Sequence, residues 1–392
     1  MLLSLFGGDC DRGDCDRDDD GFPSHILFEY LLLEECEALS LTCRAIRDSA
    51  RVWRLFRGIR RRKHEKVSLR PFAVRLDACA VPKRTVIRKL KRGPHGTKAK
   101  RISARNVTAK EFFEGYEMPS QPVIIDHAIP TWENFTLKTL MKHYSADAWR
   151  FDDSFAATAS LSDYCKYVRQ THHESALGLY DSQFGEHDDP RRGLAEQYDA
   201  PALFGEDLFS LCDERPPYRW ILVGSPGSGT SLHVDPVSTS AWVTLTEGQK
   251  YWAFFPPAPQ TDASSIGGLT PSRPLDAPPN PSALNFFRMH PTISGKSWPV
   301  SPPIEILQVP GETVFVPAGW MHVVLNLSAT VAVTHNWASA ATLEETFASL
   351  AESEPRFALQ FFEAVKNHNQ EWADRILDAH DDDDDDDDEH YD

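Results

Sequence analysis

Residues 304–337 decide the fold of this chain, and they read IEILQVPGETVFVPAGWMHVVLNLSATVAVTHNW. Short runs of β-branched and aromatic residues alternate there with turn residues such as Pro310, Gly311 and Ser328, which is typical of successive short strands. The same pattern runs from Tyr218 to Pro256, through YRWILVG, SLHVD, SAWVTLT and KYWAFFP. Many short strands in series predict a mainly β chain, folded as a double-sheet jelly roll or a related closed architecture.

Two of these predicted strands carry side chains that can bind a metal ion. His233 and Asp235 lie two residues apart, so strand alternation directs both side chains to one face. The later segment has the spacing Gly-x5-Pro-x-Gly-x2-His-x3-Asn, from Gly311 to Asn326, with its histidine at His322. This spacing resembles the second motif of the cupin superfamily, in which the histidine faces the barrel interior. The three side chains make a two-histidine, one-carboxylate set, which is typical of non-haem Fe(II) oxygenases and leaves positions open for a cosubstrate and dioxygen.

Polar residues on the neighbouring strands can bind a 2-oxo acid. Lys250 lies on the otherwise apolar strand KYWAFF, where a buried ammonium group needs an anionic partner such as the far carboxylate of 2-oxoglutarate. Thr230 and Thr334 can offer hydroxyl groups to the same carboxylate, and Asn336 would face the same way as Thr334 and support the site. The alternatives are a lysine that extends from a strand end to solvent and threonines that are ordinary strand residues.

The region from about Asn106 to Ala338 resembles the JmjC-domain oxygenases, a branch of the cupin fold, and among them the members that demethylate arginine and hydroxylate lysine. The matching segments are YDSQFGEH from Tyr180, DLF from Asp207, RPPYRW from Arg215, SGTSLHVDPVSTSAW from Ser228, GQKYWAFFP from Gly248 and EILQVPGETVFVPAGWMHVVLNLSATVAVTHNWAS from Glu305. The resemblance implies iron ligands at His233, Asp235 and His322, and 2-oxoglutarate contacts at Thr230, Lys250 and Thr334.

One residue near these motifs departs from the family pattern, and three aromatic residues near them have two possible roles. The family has an asparagine beside the cosubstrate where this chain has Val243, and losing that amide removes one polar contact. Tyr180, Trp220 and Trp320 are aromatic residues close to the motifs. They either line the substrate entrance or pack in the core.

Composition divides the chain into six regions. Residues 1–21 and 379–392 are acidic segments predicted to be disordered tails, and the second contains eight consecutive aspartates from Asp381. Residues 22–58 start with a Pro-x-x-Ile-Leu pattern at Pro23, continue with apolar residues at helical spacing and include Trp53 near their end, which predicts a small helical module. This module resembles an F-box, and the resemblance implies docking to a Skp-type adaptor of a cullin ubiquitin ligase. The alternative is a helical cap on the next domain. Residues 59–105 are a predicted basic linker, 106–341 the JmjC catalytic domain and 342–378 C-terminal helices.

Helices are predicted to flank the β region. One starts after an N-cap at Asn106 or Thr108 and leads into a strand over Pro122–Ile125. Others cover Trp132 to Tyr144, Leu161 to Gln170 and Thr342 to Leu377, the last with a break near Pro355.

The formal net charge of −17 hides a strongly basic stretch. Arg60 to Lys63 and the segment KRTVIRKLKRGPHGTKAKR from Lys83 predict nuclear import, with a solvated linker as the alternative. The same charge could instead contact nucleic acid or acidic chromatin surfaces. Sequence-specific reading of nucleic acid is disfavoured, because no recognition-helix or zinc-finger pattern is found. No apolar run approaches the ~20 residues that span a bilayer, which argues against an integral membrane protein and a membrane partner. Seven cysteines without a CxxC pair favour a reducing, intracellular environment.

These features together predict an Fe(II)- and 2-oxoglutarate-dependent dioxygenase. Its expected reaction is hydroxylation of lysine side chains, demethylation of N-methylarginine, or both, on nuclear proteins such as histones or RNA-associated proteins. The alternative is an F-box substrate adaptor of a cullin-type ubiquitin ligase whose JmjC domain serves mainly for binding. The intact His233, Asp235 and His322 set with Lys250 favours catalysis, because a protein that only binds partners has no physical need for all four.

Overall fold

The computed structural model describes most of the chain after residue 80. The described residues are 81–94, 96–129, 132, 135–151, 158–170, 177–186, 188–257, 282–290 and 303–384. The acidic segment 1–21, the predicted F-box-like module 22–58 and the basic cluster from Arg60 to Lys63 lie outside the described residues, as does the end of the acidic tail, 385–392.

Two large sheets form the body of the described chain. The strands are β1 Thr97–Lys98, β2 Lys100–Ser103, β3 Val123–Asp126, β4 Ala148–Arg150, β5 Thr158–Ser160, β6 Leu179–Asp181, β7 Arg219–Gly224, β8 Gly229–His233, β9 Ser240–Glu247, β10 Lys250–Phe255, β11 Ile304–Gln308, β12 Glu312–Val316, β13 Met321–Asn326 and β14 Thr330–Trp337. The five-stranded sheet has the order β1-β11-β10-β13-β8, and the seven-stranded sheet the order β2-β3-β12-β9-β14-β7-β6. The predicted double-sheet jelly roll is confirmed, and the eight strands predicted between Tyr218 and Trp337 all form.

The two sheets enclose an apolar interior. Trp252, Phe254 and Val324 of the five-stranded sheet pack in one cluster with Val314 and Ala332 of the seven-stranded sheet. Alternate residues of β10 and β13 point out of the barrel instead, so both faces of these strands are buried, which explains why they read as continuous apolar runs. On strands that are buried on both faces, a charged or amide side chain needs a specific partner.

Helices cover the outer faces of both sheets. They are α1 Lys83–Leu90, α2 Ala109–Phe112, α3 Leu137–His143, α4 Leu161–Gln170, α5 Arg192–Ala195, α6 Ala283–Met289, α7 Leu343–Ser353, α8 Pro355–His368 and α9 Gln370–Asp384. Phe286 and Phe287 of α6 pack on the outside of the five-stranded sheet. The outer face of the seven-stranded sheet packs against Phe112 and a large aromatic cluster, and α7, α8 and α9 share a cluster of their own.

Part of the predicted basic linker belongs to the folded domain. Helix α1 buries Val86 and Leu90 against the outside of the five-stranded sheet. Strand β1 pairs with β11, and β2 pairs with β3. The domain therefore begins before residue 106, because a few apolar residues spaced along a basic segment are enough to dock it.

The helix boundaries differ from the predicted ones where capping side chains decide them. Thr108, rather than Asn106, is the N-cap of α2, and it forms a capping box with Glu111. Helix α3 begins only after Thr136, whose side chain accepts a hydrogen bond from the backbone N–H of Thr139. Trp132, where the prediction began this helix, is instead a buried member of the aromatic cluster.

The C-terminal helices continue further than predicted. The break near Pro355 is present, because α8 begins at this proline. Helix α9 runs to Asp384, so the first part of the aspartate run is helical, beyond the predicted boundary at 378. Ala373 and Ile376 anchor the helix in the core, and a helix that has been nucleated propagates at little cost. Among the described residues, no helix combines the length and the apolar character needed to cross a bilayer.

Candidate metal centre

The three predicted ligands lie together at one end of the barrel. His233 ends β8 and lies opposite His322, the second residue of the adjacent strand β13. The two imidazole rings are 4.1 Å apart between centroids, and Nε2 of His233 lies 3.6 Å from Oδ1 of Asp235. One potential ligand atom from each of the three residues lies within 4.8 Å of the others. Two imidazoles and a carboxylate at this spacing fit one divalent transition-metal ion.

The backbone orients both imidazoles for binding. Nδ1 of His233 is 2.8 Å from the carbonyl oxygen of Ser231, and Nδ1 of His322 is 2.9 Å from that of Trp320. A carbonyl oxygen can only accept, so Nδ1 carries the proton in both rings. Nε2 is left with its lone pair directed away from the backbone, which is the atom that a metal requires. The aromatic ring of Phe254 stacks on His322 and limits its rotation.

Asp235 lies just past the end of its strand. Strand β8 stops at His233, and Asp235 is the N-cap of a short 3₁₀ turn, Pro236–Ser238. The side chain of Asp235 is 14% exposed and that of His233 is 33% exposed, so the site opens toward solvent at this end of the barrel. We name this end, with His233, Asp235 and His322, the metal end.

The three groups influence one another's protonation. Burial would raise the pKa of Asp235, but the hydrogen bond from His233 and the nearby histidine charges outweigh it and lower that pKa. Burial would lower the pKa of His233, but the hydrogen bond and charge of Asp235 outweigh it and raise the pKa. Burial and the neighbouring His233 lower the pKa of His322 to about 4. The lowered pKa values of Asp235 and His322 favour the ionised carboxylate and the neutral imidazole, which are the forms that bind metal ions. The raised pKa of His233 favours its protonated form, so a bound ion would displace that proton.

Lys250 lies inside the barrel and not at a solvent-exposed strand end. It is 5% exposed, and its Nζ donates to Oδ1 of Asn326, its cross-strand neighbour on β13, at 2.9 Å. Nδ2 of Asn326 donates in turn to Oγ of Ser228 at 2.9 Å. Burial lowers the pKa of Lys250 to about 8. Because no carboxylate among the described residues forms a salt bridge with Lys250, its remaining N–H donors suit an anionic ligand.

A β-bulge brings Thr230 to the interior face. His322 pairs with His233 and Val324 pairs with Thr230, with a register shift between the two pairs. The extra residue on β8 places Thr230 and His233 on one face although they are three positions apart. Oγ1 of Thr230 lies 3.3 Å from the hydroxyl of Tyr180, which assigns Tyr180 an inward orientation that its sequence position alone left open.

The seven-stranded sheet provides the opposite wall. Thr334 is buried and lies opposite Val243 of β9 and Trp220 of β7. Val243 packs in the apolar interior cluster, in the place where the family pattern has an amide. Asn336, two residues beyond Thr334, donates a hydrogen bond from Nδ2 to Oγ1 of Thr239 at 3.0 Å, and its amide helps to lower the pKa of Asp235. The predicted supporting position of Asn336 is therefore at the metal end.

Of the other two aromatic residues near the motifs, Trp220 on β7 is half-buried and Trp320 packs in the core. Trp320 is 5% exposed, and its Nε1 donates to Oγ of Ser120 at 3.0 Å. Sequence reasoning did not assign roles to Asn326 and Ser228, which orient Lys250. The sequence does contain a signal for Asn326, because this residue is the last one in the spacing motif that also contains His322.

The chain matches known proteins over the region that carries this site. Residues 220–337 match the family described as JmjC domain, hydroxylase. The bifunctional arginine demethylase and lysyl-hydroxylase psr-1 of Caenorhabditis elegans is 31% identical over 297 residues, which is 73% of this chain and 72% of that protein. The protein of the same name from Caenorhabditis briggsae is 33% identical over 269 residues, 66% of each chain. The 2-oxoglutarate and iron-dependent oxygenase JMJD4 of Mus musculus is 32% identical over 163 residues, 42% of this chain and 34% of that protein.

Proposed function

This chain belongs to the JmjC-domain hydroxylase family, and on that premise we propose that it is an Fe(II)- and 2-oxoglutarate-dependent dioxygenase acting on proteins. Its proposed reaction is hydroxylation of lysine side chains, demethylation of N-methylarginine, or both. The observation that carries the proposal is the convergence of His233, Asp235 and His322 at the mouth of a barrel whose interior holds Lys250.

The chain's own residues divide the work of such a reaction. Nε2 of His233, Nε2 of His322 and the carboxylate of Asp235 would hold the ion and leave its remaining positions free for ligands. When bound, the iron and 2-oxoglutarate supply dioxygen activation coupled to oxidative decarboxylation, which inserts one oxygen atom into a C–H bond. Lys250 would pair with the far carboxylate of 2-oxoglutarate, and the hydroxyls of Thr230 and Thr334 would donate to it.

The apolar interior supports the same reaction. Trp252, Phe254 and Val324 line the barrel next to His322 and Lys250 and exclude bulk water. Exclusion of water strengthens the ion pair of Lys250 with a bound carboxylate and protects a reactive oxidant from side reactions. On lysine the product is hydroxylysine; on an N-methyl group the hydroxylated carbon is released as formaldehyde.

Succinate release tests the proposal. Wild-type protein with Fe(II) and 2-oxoglutarate is expected to form succinate, whereas Asp235→Ala protein, which loses the carboxylate ligand, is expected to show only background. Equal rates of succinate formation for both proteins would refute the proposal that this chain is an oxygenase. Basic peptides incubated with the protein are then examined by mass spectrometry, where a gain of one oxygen indicates hydroxylation and the loss of a methyl group indicates demethylation.

Substrate and location extend the proposal. We propose nuclear substrates such as histones or RNA-associated proteins, with import directed by the basic cluster from Arg60 to Lys63. The second basic segment supports import less well, because α1 uses part of it to pack Val86 and Leu90 on the barrel. Replacing Arg60 to Lys63 with alanines in a fluorescent fusion is expected to remove nuclear accumulation. Unchanged accumulation contradicts this role.

Docking of a Skp-type adaptor through residues 22–58 stays a prediction from the sequence. The test is a pull-down of the adaptor by the full chain and by a chain that lacks residues 22–58. Capture by both proteins, or by neither, argues against an F-box. Neither result bears on the oxygenase, whose residues lie in the barrel.

A further inference from the structure

The two residues that follow the Asp235–Pro236 pair have an unusual backbone conformation. Val237 has φ 47° and ψ 38°, and Ser238 has φ 50°. The left-handed region is uncommon for any residue other than glycine, and a β-branched valine there is an outlier. Such a conformation persists only where the surrounding structure enforces it. We call these two residues the left-handed turn.

Helix α7 contacts both residues of the left-handed turn. Thr346 is fully buried on this helix, and its Oγ1 donates to the carbonyl oxygen of Ser238 at 3.2 Å. The side chain of Val237 packs against the cluster formed by the C-terminal helices, which includes Leu343 and Leu350 of α7. One helix therefore supplies both a hydrogen bond and an apolar surface to the strained segment.

The barrel holds the same segment from the other side. Oγ1 of Thr239 donates to the carbonyl oxygen of Pro236 at 2.8 Å and accepts from Nδ2 of Asn336 at 3.0 Å. Asp235 thus lies between the end of β8 and a turn that is fixed on one side by the barrel and on the other by α7.

We propose that α7 is a positioning element of the metal centre, and that Thr346 holds the left-handed turn so that the carboxylate of Asp235 is directed at the ion. This inference rests on the proposed function, in which Asp235 is a metal ligand. Thr346 hydrogen-bonds to Ser238 and is not one of the three proposed ligands, so it would act through Asp235 as a positioning residue. A glycine at position 238 would adopt the positive φ without strain and would make the bracing by α7 less necessary.

Binding of Co(II) to the metal-free, full-length protein under anaerobic conditions tests the inference, with the visible absorption of the bound ion as readout. Thr346→Val removes the donor at nearly constant volume and is expected to weaken Co(II) binding about tenfold, as loss of a residue that orients a ligand typically does. Thr346→Ser keeps the donor and is expected to bind as wild type does. Ser238→Gly in the Thr346→Val background is expected to recover most of the affinity.

A matched control separates positioning from general stability. Oγ1 of Thr246, near the opposite end of β9 from the metal end, lies within hydrogen-bond distance of the carbonyl oxygens of Phe135 and Val331 and can donate its one hydrogen to either. Thr246→Val is expected to lower the melting temperature and leave Co(II) affinity unchanged. Wild-type affinity in Thr346→Val, or no recovery on adding Ser238→Gly, overturns the inference. If Thr346→Val does not fold, Thr346→Ala takes its place under the same criteria.

The proposed function fails in a different way. A wild-type protein that binds no Co(II), or whose binding survives Asp235→Ala, refutes Asp235 as a metal ligand. Binding that depends on Asp235 but not on Thr346 refutes only the role of α7.

Discussion

The two large sheets of the barrel contribute very different side chains to its interior. Adjacent strands β8, β13 and β10 of the five-stranded sheet carry His233, His322 and Lys250. The facing strands β9 and β14 contribute Val243 and Thr334, and their outer faces pack in the large aromatic cluster. Charge and metal-binding groups are thus concentrated on one sheet, opposite a wall that is mostly apolar. Hydrogen bonding between neighbouring strands fixes the distances between these side chains, which suits a site that must bind an ion and a dicarboxylate together.

The largest effect is expected from the five-stranded sheet at His322. His322→Ala should reduce succinate formation by more than about 100-fold, beyond the effect of residues that only orient ligands. The reason is that one of three protein ligands is lost while the strand register remains. Turnover at saturating 2-oxoglutarate and Fe(II) is the measurement, with the melting temperature as a check on folding. Residual activity within tenfold of wild type would contradict the assignment of His322 as a metal ligand.

Lys250 should control cosubstrate binding without affecting the ion. Lys250→Met is expected to raise the dissociation constant for 2-oxoglutarate by roughly 30-fold or more, as truncation of one partner of a buried charge pair does. Calorimetric titration of the Co(II)-loaded protein measures this constant, and Co(II) affinity in the absence of 2-oxoglutarate is the control. A loss of both affinities together would mean that Lys250 supports the fold and not the ligand.

The same lysine predicts a pH dependence. Burial lowers the pKa of Lys250 to about 8 in the absence of cosubstrate, and a bound carboxylate would favour the protonated form. The protonated fraction falls as the pH rises above this pKa, so the affinity for 2-oxoglutarate should fall by about tenfold per pH unit above it and stay flat below it. Titrations from pH 7 to pH 10 measure this, and Lys250→Met should show no such slope. A flat wild-type profile contradicts the ion pair.

On the seven-stranded sheet, Thr334 is expected to have a smaller effect. Thr334→Val removes one neutral hydroxyl, and a net hydrogen bond contributes about 0.5–1.5 kcal/mol, so 2-oxoglutarate affinity should fall by about two- to tenfold. The same titration measures it. A loss of 2-oxoglutarate affinity as large as that of Lys250→Met would show that both sheets bind the far carboxylate equally strongly. The charged sheet and the mostly apolar sheet would then not differ in their contribution to cosubstrate binding.

The smallest effect is expected at Val243. Val243→Asn restores the amide of the family pattern and should tighten 2-oxoglutarate binding by about two- to fivefold through one added hydrogen bond. Without cosubstrate the amide is buried in the apolar interior, so the free energy of unfolding should fall by about 1–3 kcal/mol. Melting temperatures with and without 2-oxoglutarate measure both. Equal destabilisation in the two conditions would place the amide away from the cosubstrate.

Local sequence was sufficient for the strands and for the type of site. β12 over Glu312–Val316 and β14 over Thr330–Trp337 have the predicted bounds, because β-branched and aromatic runs between turn residues specify strands locally. The His-x-Asp pair was predicted from its spacing, His322 from the resemblance of its segment to the second cupin motif, and the lysine from its apolar surroundings. Each of these is a short local pattern, which the sequence displays directly.

Tertiary structure decided how those residues meet. Thr230 reaches the interior only through the bulge in β8, and Asp235 lies beyond the strand end on a turn that Thr346 helps to hold, more than a hundred residues along the chain. Helix α1 docks on the barrel through two apolar side chains in a segment that composition assigns to a linker. The physical reason is that strand register and docking depend on pairing between distant segments, and the free energy of that pairing is not encoded in any local pattern.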